Sequence, residues 1–274
     1  MKTKYHCSCH WDSRALHKLL EAENIKCSDF ENFFVFDFYS DHPKAQLILQ
    51  LTRQDSRPMI IEMAIFSKEE MDRAEWFSME ATRQIVDTRN WEYTFAFECE
   101  FDLNSSKRYG HITQVNPFLS SPMPKWKNKF NFCSTAYGDF STIFCSDYAR
   151  KCLEESDVVG IDYLPVLKGD LKTSKENLHQ LIFPNIFPTD ALEAIGEHTV
   201  EPCPVCGKTK YIFKKPMVDN LRVKKEKIPK GVDAFISDIG ISRGDMKVVV
   251  VSKKVYQIII ETMQEKHMRF YPLG

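Results

Sequence analysis

The chain has 274 residues, 43% of them hydrophobic, enough to bury a core without staples. Its formal net charge of −1 supplies no global field toward nucleic acid or acidic lipid, and its 10 glycines are few for an enzyme built on glycine loops. Nine scattered cysteines follow the polar start Met1-Lys2-Thr3-Lys4, and no run approaches about 20 apolar residues; together these predict a soluble cytoplasmic chain with free or metal-bound thiols.

Asp12 or Ser13 is placed to cap a helix running to about Asn24, with Leu16, Leu19 and Leu20 on one face. Phe33 to Tyr39 reads as a strand, and Ala45 to Thr52 and Met59 to Phe66 as two more. Ser67 and Glu70 have the spacing of a capping box, at the head of a helix expected from Lys68 to Val86. Trp91 to Phe101 alternates aromatic and acidic positions, the pattern of a half-buried antiparallel strand. Residues 1–115 therefore read as a sheet with helices. The proline-bearing stretch from Asn116 to Lys129 is the expected boundary, and residues 130–274 form a second part.

That second part repeats itself. In 143–166, Ile143-Phe144-Cys145-Ser146 leads into a helical stretch that includes Leu153, then ends Tyr163-Leu164-Pro165-Val166. In 249–273, Val249-Val250-Val251-Ser252 leads into a stripe of Val255, Ile258, Ile259 and Met263, then ends Phe270-Tyr271-Pro272-Leu273. Each copy predicts strand, Ser-capped helix, strand. The expected class is α+β, mainly antiparallel sheets with flanking helices and this duplicated unit.

Between the copies lies Pro202-Cys203-Pro204-Val205-Cys206-Gly207, a knuckle at 203–207. Two thiolates two residues apart converge on one ion, and the glycine permits a left-handed turn; zinc is the expected cofactor. Four ligands are needed. His198 and the N-terminal cluster His6, Cys7, Cys9 and His10 are candidates to complete the set, and that cluster is also a candidate site of its own. A degenerate turn without metal is the alternative.

Catalytic signals are weak. Gly240-Ile241-Ser242-Arg243-Gly244 has the nucleophile-elbow spacing, but a strand rather than a helix is expected after it. Glu92, Glu98, Glu100 and Asp102 form an acidic strand face. Lys214, Lys215, Lys224 and Lys225 belong to a basic stretch after the knuckle. Either face is a candidate partner surface, for a basic or an acidic partner respectively.

The knuckle, the Ser237-Asp238-Ile239-Gly240 loop with Arg243-Gly244, and the C-terminal Val249 to Leu273 segment together resemble the double-CXXCG immunity proteins of bacterial polymorphic toxin systems. The match covers about the last half of the chain, and only one CxxCG is present. The resemblance implies no enzyme but a cytoplasmic protein that neutralises a cognate toxin by binding it. A zinc-knuckle nucleic-acid-binding regulator is the rival reading. Nucleic acid and membrane are not the expected partners.

Overall fold

The computed structural model describes residues 2–86, 94–103, 107–119, 130–135, 142–168, 174–188, 191–194, 198–202, 205, 207, 209–213, 221–237, 240–241 and 247–274. The protein is α+β with mainly antiparallel sheets, as the sequence patterns predict. It divides into two compact units, Met1–Arg73 and Ala74–Gly274. The break thus falls at Arg73, upstream of the expected boundary at 116–129, of which 120–129 lie outside the described residues.

The first unit runs β1 (Lys2–His10), α1 (Arg14–Ala22), β2 (Cys27–Asp29), β3 (Phe33–Tyr39), α2 (Ala45–Arg53), β4 (Met59–Ile65) and α3 (Lys68–Arg73). Its antiparallel sheet has the order β2-β3-β1-β4, so β1 to β4 with α1 and α2 form a ferredoxin-like βαββαβ arrangement. Strand alternation turns Cys7 and Cys9 of β1 and Phe34, Phe36 and Phe38 of β3 inward. Leu16, Leu20, Ile48 and Leu49 of the helices close that core. Ser13 occupies the N-cap position of α1, but its Oγ donates to Asp55 instead of capping. Asp55 also accepts from the backbone N–H of His10 and Arg57, at 2.9 and 2.8 Å.

Two expected elements change. Residues 45–52 form α2, not a strand: Ala45, Ile48, Leu49 and Thr52 are buried at helical spacing, and this period outweighs the apolar run. The helix expected over 68–86 ends at Arg73. Its capping box is present, with Ser67 N–H donating to Glu70 at 2.7 Å and Glu70 N–H to Ser67 Oγ at 3.2 Å. The chain then extends as β5 (Trp76–Ala81) and β6 (Gln84–Val86).

The rest of the second unit comprises β7 (Phe95–Leu103), β8 (Lys107–Gln114), β9 (Phe132–Thr135), β10 (Ile143–Cys145), α4 (Asp147–Glu155), β11 (Asp162–Leu167), β12 (Ser174–Ile182) and β13 (Ile186–Phe187). It continues with β14 (Leu192–Ala194), β15 (His198–Pro202), β16 (Thr209–Phe213), β17 (Leu221–Val223), β18 (Ala234–Ser237), β19 (Gly240–Ile241) and β20 (Val249–Ser252). It closes with α5 (Lys253–Gln257), extended by a π-turn over Ile258–Thr262, and β21 (Met268–Pro272).

The duplication is deeper than the two copies visible in sequence. One sheet has the order β11-β12-β10-β9-β6 and the other β21-β5-β20-β18-β13. Read in these orders, both show three antiparallel pairings followed by one parallel pairing. Repeat 1 therefore spans 76–167 and repeat 2 spans 174–272. The run Gly138 to Ser146 aligns without a gap with Gly244 to Ser252.

The first strand of each repeat sits in the other repeat's sheet. β5 lies between β20 and β21, while β12 lies between β10 and β11. Insertion between two strands pairs β5 along both edges, and one face of it is fully buried: Phe77 and Ala81 are 0% exposed and Met79 2%. Each large apolar side chain so buried contributes roughly 1.5–3 kcal/mol.

Matching polar contacts join the repeats. Ser146 N–H donates to Asn131 O and Ser146 Oγ to Asn131 Oδ1, at 3.0 and 2.9 Å. In repeat 2, Ser252 N–H donates to Asp233 O and Ser252 Oγ to Asp233 Oδ1, at 2.7 and 2.8 Å. Asn131 and Asp233 each precede an equivalent strand, β9 or β18, and each reaches the turn after the opposite helix. Asn131 N–H donates to Glu265 Oε2 at 2.5 Å, and Asp233 N–H to Val159 O at 2.8 Å.

Candidate binding cleft

A cleft of about 360 Å³ opens at the amino end of α4. Its walls are Asp147 and Arg150 from α4, Tyr163 and Pro165 from β11, and Ser174, Asn177 and His179 from β12. It is composite: β12 is the strand that repeat 2 donates.

Local distortion of β12 makes the space. Pro165 pairs with His179 but Leu167 pairs with Ser174, so β12 carries extra residues against β11. Within this bulge Asn177 adopts φ 55, the left-handed region that asparagine tolerates better than most residues. Asn177 Oδ1 accepts the Asp147 N–H at 2.7 Å, satisfying an otherwise open donor of the helix. His179 Nε2 donates to Asp147 Oδ1 at 2.5 Å. The Asp147 carboxylate also suits the positive end of the α4 dipole.

Arg150 lies over the Tyr163 ring, 5.3 Å from its centroid, and donates through Nε to Glu154 Oε1 at 2.8 Å. The Glu154 hydrogen bond raises the Arg150 pKa and secures its positive charge. Burial, then the nearby Cys145 and Glu154, pushes the Tyr163 phenol up, so it stays protonated and able to donate.

Repeat 2 supplies an internal reference. Cys145 and Pro165 both pair with His179, and Val251 and Pro272 both pair with Phe77, so His179 and Phe77 are equivalent. Four residues beyond the capping-position serines stand Arg150 and Tyr256. Two residues before the prolines stand Tyr163 and Phe270. In repeat 2 the three rings pack together. Phe77 stacks on Tyr256 at 4.5 Å, and Phe270 meets them edge-on at 6.3 and 5.2 Å. The same positions in repeat 1 hold His179, Arg150 and Tyr163 around open space.

The residues singled out from sequence lie elsewhere. Cys7 and Cys9 point into the first unit's core, while His6 and His10 belong to the opposite face of the strand, so this cluster does not converge. Burial pushes both thiols up to about 12, and His6 pairs with Asp37 at 2.7 Å. His198 begins β15, the strand that ends at Pro202. Gly207 does take the left-handed turn, with φ 74. Cys203 and Cys206 lie outside the described residues, as do Glu92, Lys214 and Lys215. Among the described residues no three His, Cys, Asp or Glu side chains gather into a metal site.

Glu98, Glu100 and Asp102 are in β7, which with β8 forms a two-stranded sheet; the register shifts around Glu98. Lys224 is exposed, and Lys225 pairs with Glu75 at 2.8 Å. Neither lysine is among the residues that line the cleft. The sequence reading missed Arg150, His179, Asn177 and Asp147 as a group. The signal was available only through the repeat, as a charged residue where the second copy has an aromatic one.

No helix among the described residues is long and apolar enough to cross a membrane. No known family model matches the chain, and no curated protein matches it in sequence.

Proposed function

We propose that this chain is a cytoplasmic immunity protein that neutralises a cognate bacterial toxin by occupying its surface, without catalysing a reaction. One observation carries the reading: repeat 1 keeps an open, polar cleft at positions that repeat 2 fills with packed rings. A scaffold whose second copy fills the same space with apolar groups does not need polar groups there for folding. Arg and Tyr are also the side chains that anchor protein interfaces. The C-terminal motifs that resemble immunity proteins support the same conclusion.

Co-expression with the toxin-like domain encoded by an adjacent reading frame tests it. The expected result is restored growth and a stable complex on gel filtration. Turnover of a substrate by the purified chain, abolished by one substitution, overturns it. Tight nucleic-acid binding that weakens steeply with salt favours the regulator instead. The same reading assigns one zinc ion to Cys203 and Cys206 with ligands from elsewhere. Elemental analysis should find about one zinc per chain, lost in Cys203→Ser.

A further inference from the structure

The cleft's lining also specifies what enters it. We infer that it is a socket for an acidic side chain of the bound partner, an Asp or Glu carboxylate received by the Arg150 guanidinium; this rests on the binding reading above. Among the described residues, the only carboxylate bonded to Arg150 is Glu154, which takes Nε rather than the two terminal nitrogens, and the Arg150 side chain is 40% exposed. An exposed pair four residues apart on a helix is worth only about 0.3–0.5 kcal/mol, so Glu154 holds the fork in place without saturating it. A carboxylate meeting the outer edge of an arginine makes two parallel charge-assisted hydrogen bonds.

The other charged group does not cancel this. Asp147 takes the His179 ring on Oδ1 and stands at the amino end of α4, where the helix dipole offsets its charge. A cationic guest would want the Tyr163 face, but Arg150 already covers it. Tyr163 and Pro165 supply the apolar walls for the stem of the incoming side chain. Repeat 2 has Tyr256 in place of Arg150, stacked on Phe77, and offers neither charge nor space.

The experiment follows the Arg150 Nε–Hε signal of the full chain by 15N NMR, assigned by its loss in Arg150→Lys. The probes are the capped tripeptides acetyl-Gly-Glu-Gly-amide and its Gln and Lys counterparts. The Glu peptide should shift the signal and the other two should not. In Arg150→Met, checked for retained fold by its amide spectrum, binding of the Glu peptide, followed in both proteins by the backbone amide signals of the cleft, should weaken about tenfold or more. A shift with the Lys peptide, a shift with none, or tighter binding of inorganic phosphate than of the Glu peptide would overturn the socket.

The two readings fail differently. If the neighbouring toxin domain binds the wild-type chain and Arg150→Met leaves that affinity unchanged, the socket is wrong and the immunity reading stands. If no such complex forms while the Glu peptide still binds at Arg150, the immunity reading is wrong and the socket stands.

Discussion

The two repeats of the second unit share a backbone plan and differ in what fills one corner of it. Both place a serine at the head of the helix, bond it to the residue before an equivalent strand, and lend their first strand to the other repeat. In repeat 2 that corner is a stack of Phe77, Tyr256 and Phe270; in repeat 1 it is Arg150, Tyr163 and His179 around a cleft. What the repeats share is what folding requires. What fills this corner is not dictated by that shared plan, so the polar set of repeat 1 is free to serve another purpose.

The sharpest break in the comparison is at Gly160. A Cβ there would sit 2.4 Å from the Ala234 carbonyl oxygen, and the residue has φ 102. Gly160→Ala should cost on the order of 3 kcal/mol in urea unfolding, while Lys266→Ala at the matching, exposed turn position should stay within about 0.5 kcal/mol. Next is Glu265, 5% exposed, whose carboxylate accepts the N–H groups of Asn131, Lys266 and His267. Glu265→Ala should cost about 2–3 kcal/mol by orphaning those donors. Val159→Ala at the equivalent position, where backbone atoms make the contact, should again cost under about 0.5 kcal/mol.

Alkaline pH should separate the repeats too. Repeat 1 holds Cys133 and Cys145 where repeat 2 has Phe235 and Val251. Burial pushes the Cys133 thiol up to about 12 and Cys145 well above its ordinary value. The folded state then keeps protons that the unfolded chain sheds from about pH 9, so stability falls as pH rises above 9. Each such thiol contributes a slope of about 1.4 kcal/mol per pH unit. Cys145→Val, which installs the residue used by repeat 2, should flatten the stability profile measured by denaturant titration from pH 8 to 11.

The smallest effect concerns the capping serines. Ser146 Oγ also accepts the Ala149 N–H at 3.2 Å, whereas Ser252 makes no side-chain cap bond. Ser146→Ala should cost about 1–2 kcal/mol in the same assay, and Ser252→Ala about 1 kcal/mol or less.

Local signals were readable where the chain acts locally. Ser146, Ser252, the capping box at Ser67 and Glu70, and the strand at Phe33–Tyr39 all stand where residue pattern puts them. The failures came where distant partners decide. Trp76–Ala81 was expected to continue a helix, but Val249–Ser252 and Met268–Pro272 claim it as a central strand. Residues 45–52 were misread because a short apolar run does not distinguish a strand from a buried helix face. The N-terminal cysteines and histidines looked like a ligand cluster until strand alternation split them between two faces. His179 could not be matched with Asp147 and Arg150 from sequence, because the strand exchange that joins them is written nowhere locally.

The strand exchange also sets an order on biosynthesis. β5 leaves the ribosome well before the two strands that flank it, β20 and β21. Until those strands are made, Phe77 and Met79 have no permanent shelter, and such long-range pairing forms slowly. A product truncated before Val249 would strand β5 with both edges bare, a species prone to aggregate rather than to work. Val249–Ser252 and Met268–Pro272 thus decide whether β5 is held as a central strand or left exposed.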